Sequence, residues 1–396
     1  MATRINNNNR LFYGVTAVGV AATGGVFKAV SGVQSVGIDT TFNLEQVYQL
    51  GQLSIYQNVE NIPNVEVTIE RVMDGTALAQ HLATPQTGIG PELIGRYGNQ
   101  RCDVAVNFYR DTMSNASGVP TDLANKQAQS CYMSGMYVSS IGFNLGVDGN
   151  FTETVSLVGN SKNWASVTGS ATATGFGGST MFYPTFGTAG SLAPPTGFVA
   201  RRQNIVFGYA TPLGANLTLL PKEIPGIDST GYNRLSYGTL ALGGSADWQG
   251  NAAHIQSIQI SADLGRTELF ELGKRGPYHR YLDFPIEVTC AIEVVDTQGD
   301  SMIAQTEADN VTDQKIYVVI NDGTVIDLGA KNRLTSVSSS AGDTGGGNRT
   351  LTFNYVNYNE LTVTRYIGLT PDGSAASVYM DPAQATDTTP TTPGYA

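Results

Sequence analysis

The residues best suited to acid–base or metal chemistry are three histidines: His81, His254 and His279. None has a second histidine or a carboxylate at the spacing that helical zinc sites use. His279 lies four residues before Asp283, in the segment RGPYHRYLDFP. A histidine beside a carboxylate can form a catalytic dyad, but in a strand-rich segment the pair favours a solvated or interface contact.

Two segments superficially resemble phosphate-binding loops. In ELGKRGP, Arg275 follows Lys274 where a P-loop needs Ser or Thr, and Glu268 occupies the place of the first glycine. GFGGST at 175–180 lacks the third glycine of a dinucleotide-binding loop, which favours a flexible loop. No serine has glycine at both −2 and +2, as a nucleophile elbow requires. We therefore predict that the protein is not an enzyme, with no catalytic and no cofactor-binding residues.

Metal ligands are not grouped in the sequence either. One acidic segment contains Asp296, Asp300, Glu307 and Asp309. Its spacing does not match the twelve-residue calcium loop, so a solvated loop is favoured over a calcium site. Cys102, Cys131 and Cys290 form no CxxC pair and no zinc-type spacing with histidine. We expect buried free thiols in a protein synthesised in the cytosol, with no metal and no cofactor.

Composition limits the possible partners. Only 14 % of the residues are charged, 46 are glycine, and the formal net charge is −11. Capture of nucleic acid needs concentrated Lys and Arg, whereas the doublets Arg201-Arg202 and Lys274-Arg275 favour ion pairs between subunits. An acidic wall could still let DNA slide past without sticking. The low charge also suits a surface largely covered by neighbouring molecules.

The N-terminal region has two interpretations. Arg4 and Arg10 precede LFYGVTAVGVAATGG, as the basic residues of a signal peptide would. Gly14, Thr16 and Gly19 interrupt the apolar run, however, and its alternation favours a strand. No stretch of the sequence approaches the 18 apolar residues of a membrane span, so we predict none.

One long repeat organises the chain. Residues 33–63 align without a gap on residues 255–285, at an offset of 222. The identical pairs are Gln34/Gln256, Ser35/Ser257, Ile38/Ile260, Leu50/Leu272, Gly51/Gly273, Tyr56/Tyr278 and Pro63/Pro285. Composition alone would give roughly two matches over this length. The repeat therefore predicts one structural unit used twice.

Each copy predicts a strand, a short helix and a second strand. The first segment of each copy alternates as a strand does. The expected helix-start pairs are Asn43 with Gln46 and Gly265 with Glu268. Helical spacing puts Leu44, Val47 and Tyr48 on one face, and Gly51 and Gly273 stand where a left-handed C-terminal cap is needed.

The correspondence continues with gaps and predicts the domain organisation. The strand CDVAVNFYR matches KIYVVINDG, and a hairpin turning at Asp148-Gly149 matches a segment with a Gly-rich tip. The predicted parts are an N-terminal arm (1–25), a first copy (26–160), a Gly/Thr-rich insert or small third module (161–249), a second copy (250–369) and a C-terminal arm (370–396). Trp164 and Trp248 stand at the ends of the insert. We expect neighbouring subunits to hold both arms.

The repeated segments resemble phage tail tube (major tail) proteins. The residues that carry the resemblance are SVGIDTTFNLEQVYQLGQLSIYQN, the following VEVTIERVMDG and the hairpin segment DGNFTETVSLVGN. The resemblance covers about two thirds of the chain and implies a mainly β fold, a barrel or sandwich with one short flanking helix in each domain. It also implies domains that join into rings, rings that stack into a tube conducting DNA, and sheath, terminator, tape measure and baseplate proteins as partners.

These observations predict a structural virion protein, synthesised in the host cytoplasm and located in the viral tail. Two tandem domains suggest three chains in a pseudo-sixfold ring, with a six-chain ring as the alternative. Other interpretations are a baseplate hub component, a capsid decoration protein, or a carbohydrate-binding or depolymerase-like β protein. Nothing in the sequence marks the carboxylate pair that a depolymerase would need.

Overall fold

The structure is a computed structural model of the 396-residue chain. It describes residues 16–22, 27–51, 54–75, 78–84, 100–109, 127–166, 173–175, 180–181, 199–205, 207, 218–227, 231, 253–274, 276–295, 312–320, 324–340, 348–369 and 375–379. Most of both predicted arms and of the predicted insert, with Trp248, Arg275 and the acidic segment 296–309, lies outside these residues.

The fold is mainly β, as the sequence predicts. The strands of the N-terminal half are β1 (Thr16–Ala22), β2 (Lys28–Ala29), β3 (Val33–Thr41), β4 (Leu44–Tyr48), β5 (Ile55–Glu60), β6 (Asn64–Val72), β7 (Cys102–Tyr109), β8 (Gln127–Gly146), β9 (Thr152–Gly159), β10 (Ser161–Ser166), β11 (Ala173–Gly175) and β12 (Thr180–Met181). Those of the C-terminal half are β13 (His254–Asp263), β14 (Arg266–Leu269), β15 (His279–Leu282), β16 (Glu287–Val295), β17 (Tyr317–Val319), β18 (Thr324–Asp327), β19 (Arg333–Ser340), β20 (Thr350–Tyr358), β21 (Thr362–Leu369) and β22 (Ala375–Tyr379). Helical structure within the described residues comprises α1 (Ala79–Ala83) and one 3-10 turn (Arg202–Asn204).

An antiparallel sheet of eight strands runs through both halves of the chain. Its order is β3-β6-β9-β8-β13-β16-β20-β19. Apolar and polar residues alternate along β13, β16 and β20, which buries one face of the sheet and leaves the other polar. Within the described residues the sheet stays open and does not close into a barrel.

Strand β8 is long enough to belong to two sheets. Its C-terminal part pairs with β9 and β13, whereas its N-terminal part pairs with β7 and β10. Gly135, at φ 69°, lies between the two parts in a conformation that glycine adopts readily. In the C-terminal half, two separate strands make the corresponding pairings. Strand β18 pairs with β17 and β21, as the N-terminal part of β8 pairs with β7 and β10, and β19 pairs with β20, as the C-terminal part of β8 pairs with β9.

The strands of the two halves correspond in order and in register. Val36 pairs with Ile69 in β3–β6, and Ile258 pairs with Ile292 in β13–β16. Both ladders shift register at the same place, between Val33 and Ser35 and between Ile255 and Ser257. The ladders β8–β9 and β19–β20 also share a shift, between Val138 and Ser140 and between Leu334 and Ser336. Side-chain contacts follow the same correspondence: Ser35 bonds to Glu70 at 3.0 Å, and Ser257 to Glu293 at 3.2 Å.

The short flanking helix predicted in each copy is wrong. Residues 44–60 and 266–282 form β-hairpins, β4–β5 and β14–β15, in matching register. All five residues of β4 are exposed, so a helix that placed Leu44, Val47 and Tyr48 on one face would not be stabilised by burying that face. Gly51 and Gly273 both have φ 88°, but each lies at a hairpin tip rather than at a helix end. Asn43, expected to cap the helix, instead closes the base of the hairpin by donating to the Ile62 carbonyl at 3.0 Å.

A hydrophobic cluster of described residues joins the two halves. It contains Val67 and Ile69 from β6, Phe143 from β8, and Ile260 and Ile292 from the second half, all buried. Described parts of the predicted insert contribute to it as well: Ala200, Leu220, Ile224 and Ile227. The two halves are therefore packed as one body rather than linked by a free connection.

Candidate assembly interface

The two halves meet at a strand junction between β8 and β13. Seven residue pairs join the strands, from Ser257 opposite Gly146 to Asp263 opposite Ser140. The apolar pairs Ile258/Leu145, Ile260/Phe143 and Ala262/Ile141 face the core and are buried. Beyond the ladder, the Leu264 amide donates to the Ser139 carbonyl at 2.8 Å. The junction thus joins edge strands of two similar sheets through both backbone bonds and a continuous core.

The hairpin β14–β15 covers one end of this junction. Arg266 donates from Nε to the Val138 carbonyl at 2.8 Å, and its guanidinium lies 5.4 Å from the Tyr137 ring centroid. Burial lowers the pKa of Arg266 to about 10, which still leaves the group charged at neutral pH. Since cations stack favourably on aromatic faces, Arg266 fixes the second-half hairpin on the first-half strand.

A second arginine extends the same contact. Arg280 donates to the side-chain oxygens of Asn64 and Asn160 at 3.0 Å each, and forms an ion pair with Glu268 on the neighbouring strand. Burial lowers the pKa of Arg280, and the Glu268 carboxylate opposes that shift. The hairpin is therefore held to the first half by buried charge-assisted hydrogen bonds.

The two outer edges of the eight-stranded sheet are the counterparts of the strands that form the junction. Strand β3 corresponds to β13, and β19 corresponds to the C-terminal part of β8. Among the described residues, β3 pairs with β6 alone and β19 with β20 alone. Unpaired backbone groups on such an edge form a ready template for another strand.

The first-half hairpin exposes a large apolar surface near the β3 edge. Its exposed apolar residues are Phe42, Leu44, Val47, Tyr48, Leu50, Ile55 and Tyr56. The second-half hairpin keeps part of this set exposed, namely Phe270, Leu272 and Tyr278. Leu50 and Leu272 at the two tips are fully exposed, at 102 % and 105 %. Exposed apolar side chains grouped on one hairpin in this way indicate contact with another molecule.

The polar face of the eight-stranded sheet is acidic. Its carboxylates are Asp39, Glu66, Glu70, Asp263, Glu287 and Glu293. The basic residues of the eight strands are Arg71, which is buried, and Arg333, which bonds to Asp313 at 2.7 Å. A face with this balance of charge repels polyanions.

The histidines lie apart from one another, in different contacts. His81 is buried in α1, with Nε2 2.9 Å from the Val363 carbonyl. His254 is exposed at the start of β13. His279 packs on Tyr137 across the junction, with Nδ1 3.5 Å from the tyrosine oxygen, while the Asp283 carboxylate accepts from Thr267. His279 therefore lies at the interface between the two halves, whereas Asp283 contacts Thr267 of its own hairpin.

A buried charge cluster in the first half was missed by sequence reasoning. Arg71 forms an ion pair with Asp74 at 2.6 Å and lies 3.7 Å from Glu153. Glu153 also accepts from the backbone amides of Ala79 and Gln80 at the start of α1, at 3.1 and 3.2 Å. Burial raises the pKa of Glu153, although Arg71 and the two amides act in the opposite direction. Every contact of the Glu153 carboxylate is internal, so the cluster fixes α1 to β9.

The thiols are free and buried, as the sequence predicts. Burial raises the pKa of Cys131 to about 11 and of Cys290 to about 12, and raises that of Cys102 as well. The part of the chain that the structure describes holds no group of three or more His, Cys, Asp or Glu residues able to bind a metal ion. Nor does it include a helix with the length and hydrophobicity needed to cross a membrane.

The predicted basic doublets are only partly described. Lys274 pairs with Glu271 within its own hairpin tip, where we expected a partner on another subunit. Arg201 donates to the Asn150 side chain at 2.9 Å. Trp164, at the start of the predicted insert, stacks on Phe108 of the first half with ring centroids 5.8 Å apart. The sequence signal that could have located the interface is the change from Leu44 to Arg266 between otherwise similar hairpins.

No family model and no curated protein sequence matches the chain. Among solved structures, it is similar to a chain of the anti-feeding prophage (AFP) baseplate, with 12 % identity and a TM-score of 0.28 over 41 % of this chain and 97 % of that chain. It is also similar to a chain in the tail of an empty GTA particle, with 15 % identity and a TM-score of 0.23 over 28 % and 85 %. A chain of the PVC sheath–tube complex, an extracellular contractile injection system in the extended state, gives 10 % identity and 0.26 over 38 % and 88 %. TM-scores this low do not establish a shared fold.

Proposed function

We propose that the chain is a structural subunit of a viral tail tube, built from two copies of one domain (26–160 and 250–369). The observation that carries the proposal is the eight-stranded sheet, whose halves match in register and whose two outer edges are the counterparts of its internal junction. A chain that joins its own two copies through these edges can make the same contact with other chains. If the rotation between successive chains closes on itself, the chains form a ring.

Three chains would then supply six domain positions, with the acidic polar face directed toward the lumen. The alternation of carboxylates with Ser, Thr and Asn on that face suits a wall that DNA passes without binding. The exposed tips Leu50 and Leu272 are equivalent positions in the two copies, so each ring would present them at all six positions for contact with the next ring. Other tail proteins would contact the ends and the outside of the tube.

Electron microscopy of the purified full-length protein tests this function. We expect rings with pseudo-sixfold symmetry that contain three chains and stack into tubes. A ring of six chains would support the alternative stoichiometry. A single ring that never stacks would instead favour a baseplate hub, because a tube needs tens of rings per particle and a hub needs one. A protein that remains monomeric at every concentration, and that is absent from virions, would contradict a structural role in the tail.

A further inference from the structure

We propose that strand β19 of one chain pairs antiparallel with strand β3 of the next chain, in the register of the internal β8–β13 junction. The inference rests on the proposed function for the existence of neighbouring chains, but its register comes from the chain's own geometry. The occupant of each open edge is therefore a second copy of this chain.

The register follows from two correspondences. Ile141 and Val337 are equivalent because they pair with Val155 and Phe353, which occupy matching places in β9 and β20. Ala262 and Thr40 are equivalent because they pair with Val288 and Val65. Ala262 lies opposite Ile141 in the internal junction, so Thr40 lies opposite Val337 between chains.

The same correspondence between the two halves gives the other residue pairs between neighbouring chains. They are Gly37 with Ser340, Ile38 with Ser339, Asp39 with Ser338, and Thr41 with Ser336. The Leu264 amide donates to the Ser139 carbonyl within the chain, and its counterpart is the Phe42 amide donating to the Thr335 carbonyl of the neighbour.

Side-chain directions on the two edges agree with this register. Ile38 and Val337 are both half-buried against the core, so the apolar sides of β3 and β19 face the same way when the two strands are paired. Asp39 and Ser338 are both exposed on the polar side, where the serine hydroxyl can donate to the carboxylate. A shift of one residue would set inward-facing residues of one strand opposite outward-facing residues of the other, so the alternation excludes that register.

The exposed base of the first hairpin supports the same partner. Leu264 is fully buried, at 0 %, where the internal junction ends, whereas its counterpart Phe42 is 70 % exposed beside an open edge. Pairing β3 with a neighbour's β19 would cover Phe42 as the internal junction covers Leu264. Together with the other exposed apolar residues of this hairpin, Phe42 marks this end of the edge as a contact surface.

Disulfide cross-linking of the full-length chain tests the register. The variant Asp39→Cys/Ser338→Cys places two thiols opposite each other on one face, and Asp39→Cys/Ser339→Cys is the matched control with thiols on opposite faces. We expect the first variant to give roughly tenfold more inter-chain disulfide on mild oxidation, because a disulfide needs adjacent and convergent Cβ atoms. The native thiols are buried and add little background.

The outcomes separate the register from the function. A covalent ladder that stops at three or at six chains supports the pairing and also counts the ring. Rings visible by electron microscopy with equal or no cross-linking in the two variants would overturn the register while leaving the tube function standing. If both variants are folded by circular dichroism but monomeric by light scattering, as is the unmodified chain, the pairing and the proposed function both fail.

Discussion

Phe42 and Leu264 occupy equivalent positions at the bases of two matched hairpins, yet Phe42 is exposed and Leu264 is buried. The difference arises because Leu264 follows a strand that is paired on both sides, whereas Phe42 follows an edge strand. This asymmetry shows which of two corresponding surfaces is already used within the chain and which remains available.

Replacing these two residues should have opposite consequences. We expect Phe42→Ser to change the free energy of unfolding of the monomer by about 0.5 kcal/mol or less, since an exposed side chain contributes little. Leu264→Ala should lower it by about 2–5 kcal/mol, as for other buried leucines. Urea unfolding of dilute protein measures both, and light scattering should show weaker assembly for Phe42→Ser. Equal destabilisation by the two variants would mean that Phe42 packs within its own chain.

Arg280 should contribute strongly to the contact between the two halves. Arg280→Ala leaves Glu268 without its ion-pair partner and removes the donor to Asn64 and Asn160. We expect a loss of about 2–3 kcal/mol, below the value for a fully buried pair because Glu268 keeps some contact with water. The exposed pair Lys274–Glu271 provides the control, and Lys274→Ala should change stability by about 0.5 kcal/mol or less. Similar losses in both variants would show that burial does not distinguish the two pairs.

The polar face contains one unfavourable pair in the first half that the second half lacks. Asp39 lies opposite Glu66, whereas the equivalent Ser261 and Thr289 are hydrogen-bonded at 2.7 Å. The double variant Asp39→Ser/Glu66→Thr should therefore raise the free energy of unfolding by about 0.2–1 kcal/mol at low salt. High salt should reduce the gain because it screens the repulsion in the unmodified protein. A loss of stability at low salt would show that the two carboxylates do not repel each other.

The buried carboxyl of Glu153 should make stability depend on pH. Burial raises its folded-state pKa above the ordinary value of 4.5, so between these two pKa values the folded chain binds more protons than the unfolded chain. Its contribution is therefore fully present below pH 4.5 and is lost as the pH rises through the raised pKa. We expect the stability of the unmodified protein, relative to Glu153→Gln, to fall as pH increases across this range. A rise with pH would show instead that Arg71 holds Glu153 in its charged form.

The sequence predicts which residues form strands better than it predicts which strands lie at the edges of the sheet. Alternation correctly places β3 and β13, and the repeat correctly aligns Gly51 with Gly273 because both need a positive φ. The same glycine signal does not distinguish a hairpin tip from a helix end, and Leu44, Val47 and Tyr48 fit helical spacing by chance. Exposure decided the outcome, and exposure depends on tertiary neighbours that a local pattern does not contain.

The candidate interface could be predicted only in part. The matching of Ile38 with Ile260 indicates equivalent strands, but not that one is paired on both sides and the other on one side. The replacement of Leu44 by Arg266 is visible in the sequence, yet its meaning depends on the Val138 carbonyl that Arg266 reaches. Contacts between residues 128 positions apart depend on how the two sheets are placed, which periodicity does not specify.

The β8–β13 junction also affects how a ring would begin. Because one polypeptide carries both partners, this contact forms at the high effective concentration of a tether and needs no encounter between molecules. A closed ring of three chains would then contain as many tethered contacts as free ones. Such a ring would lose less translational and rotational entropy on assembly than six separate domains would, so it should form at lower subunit concentration.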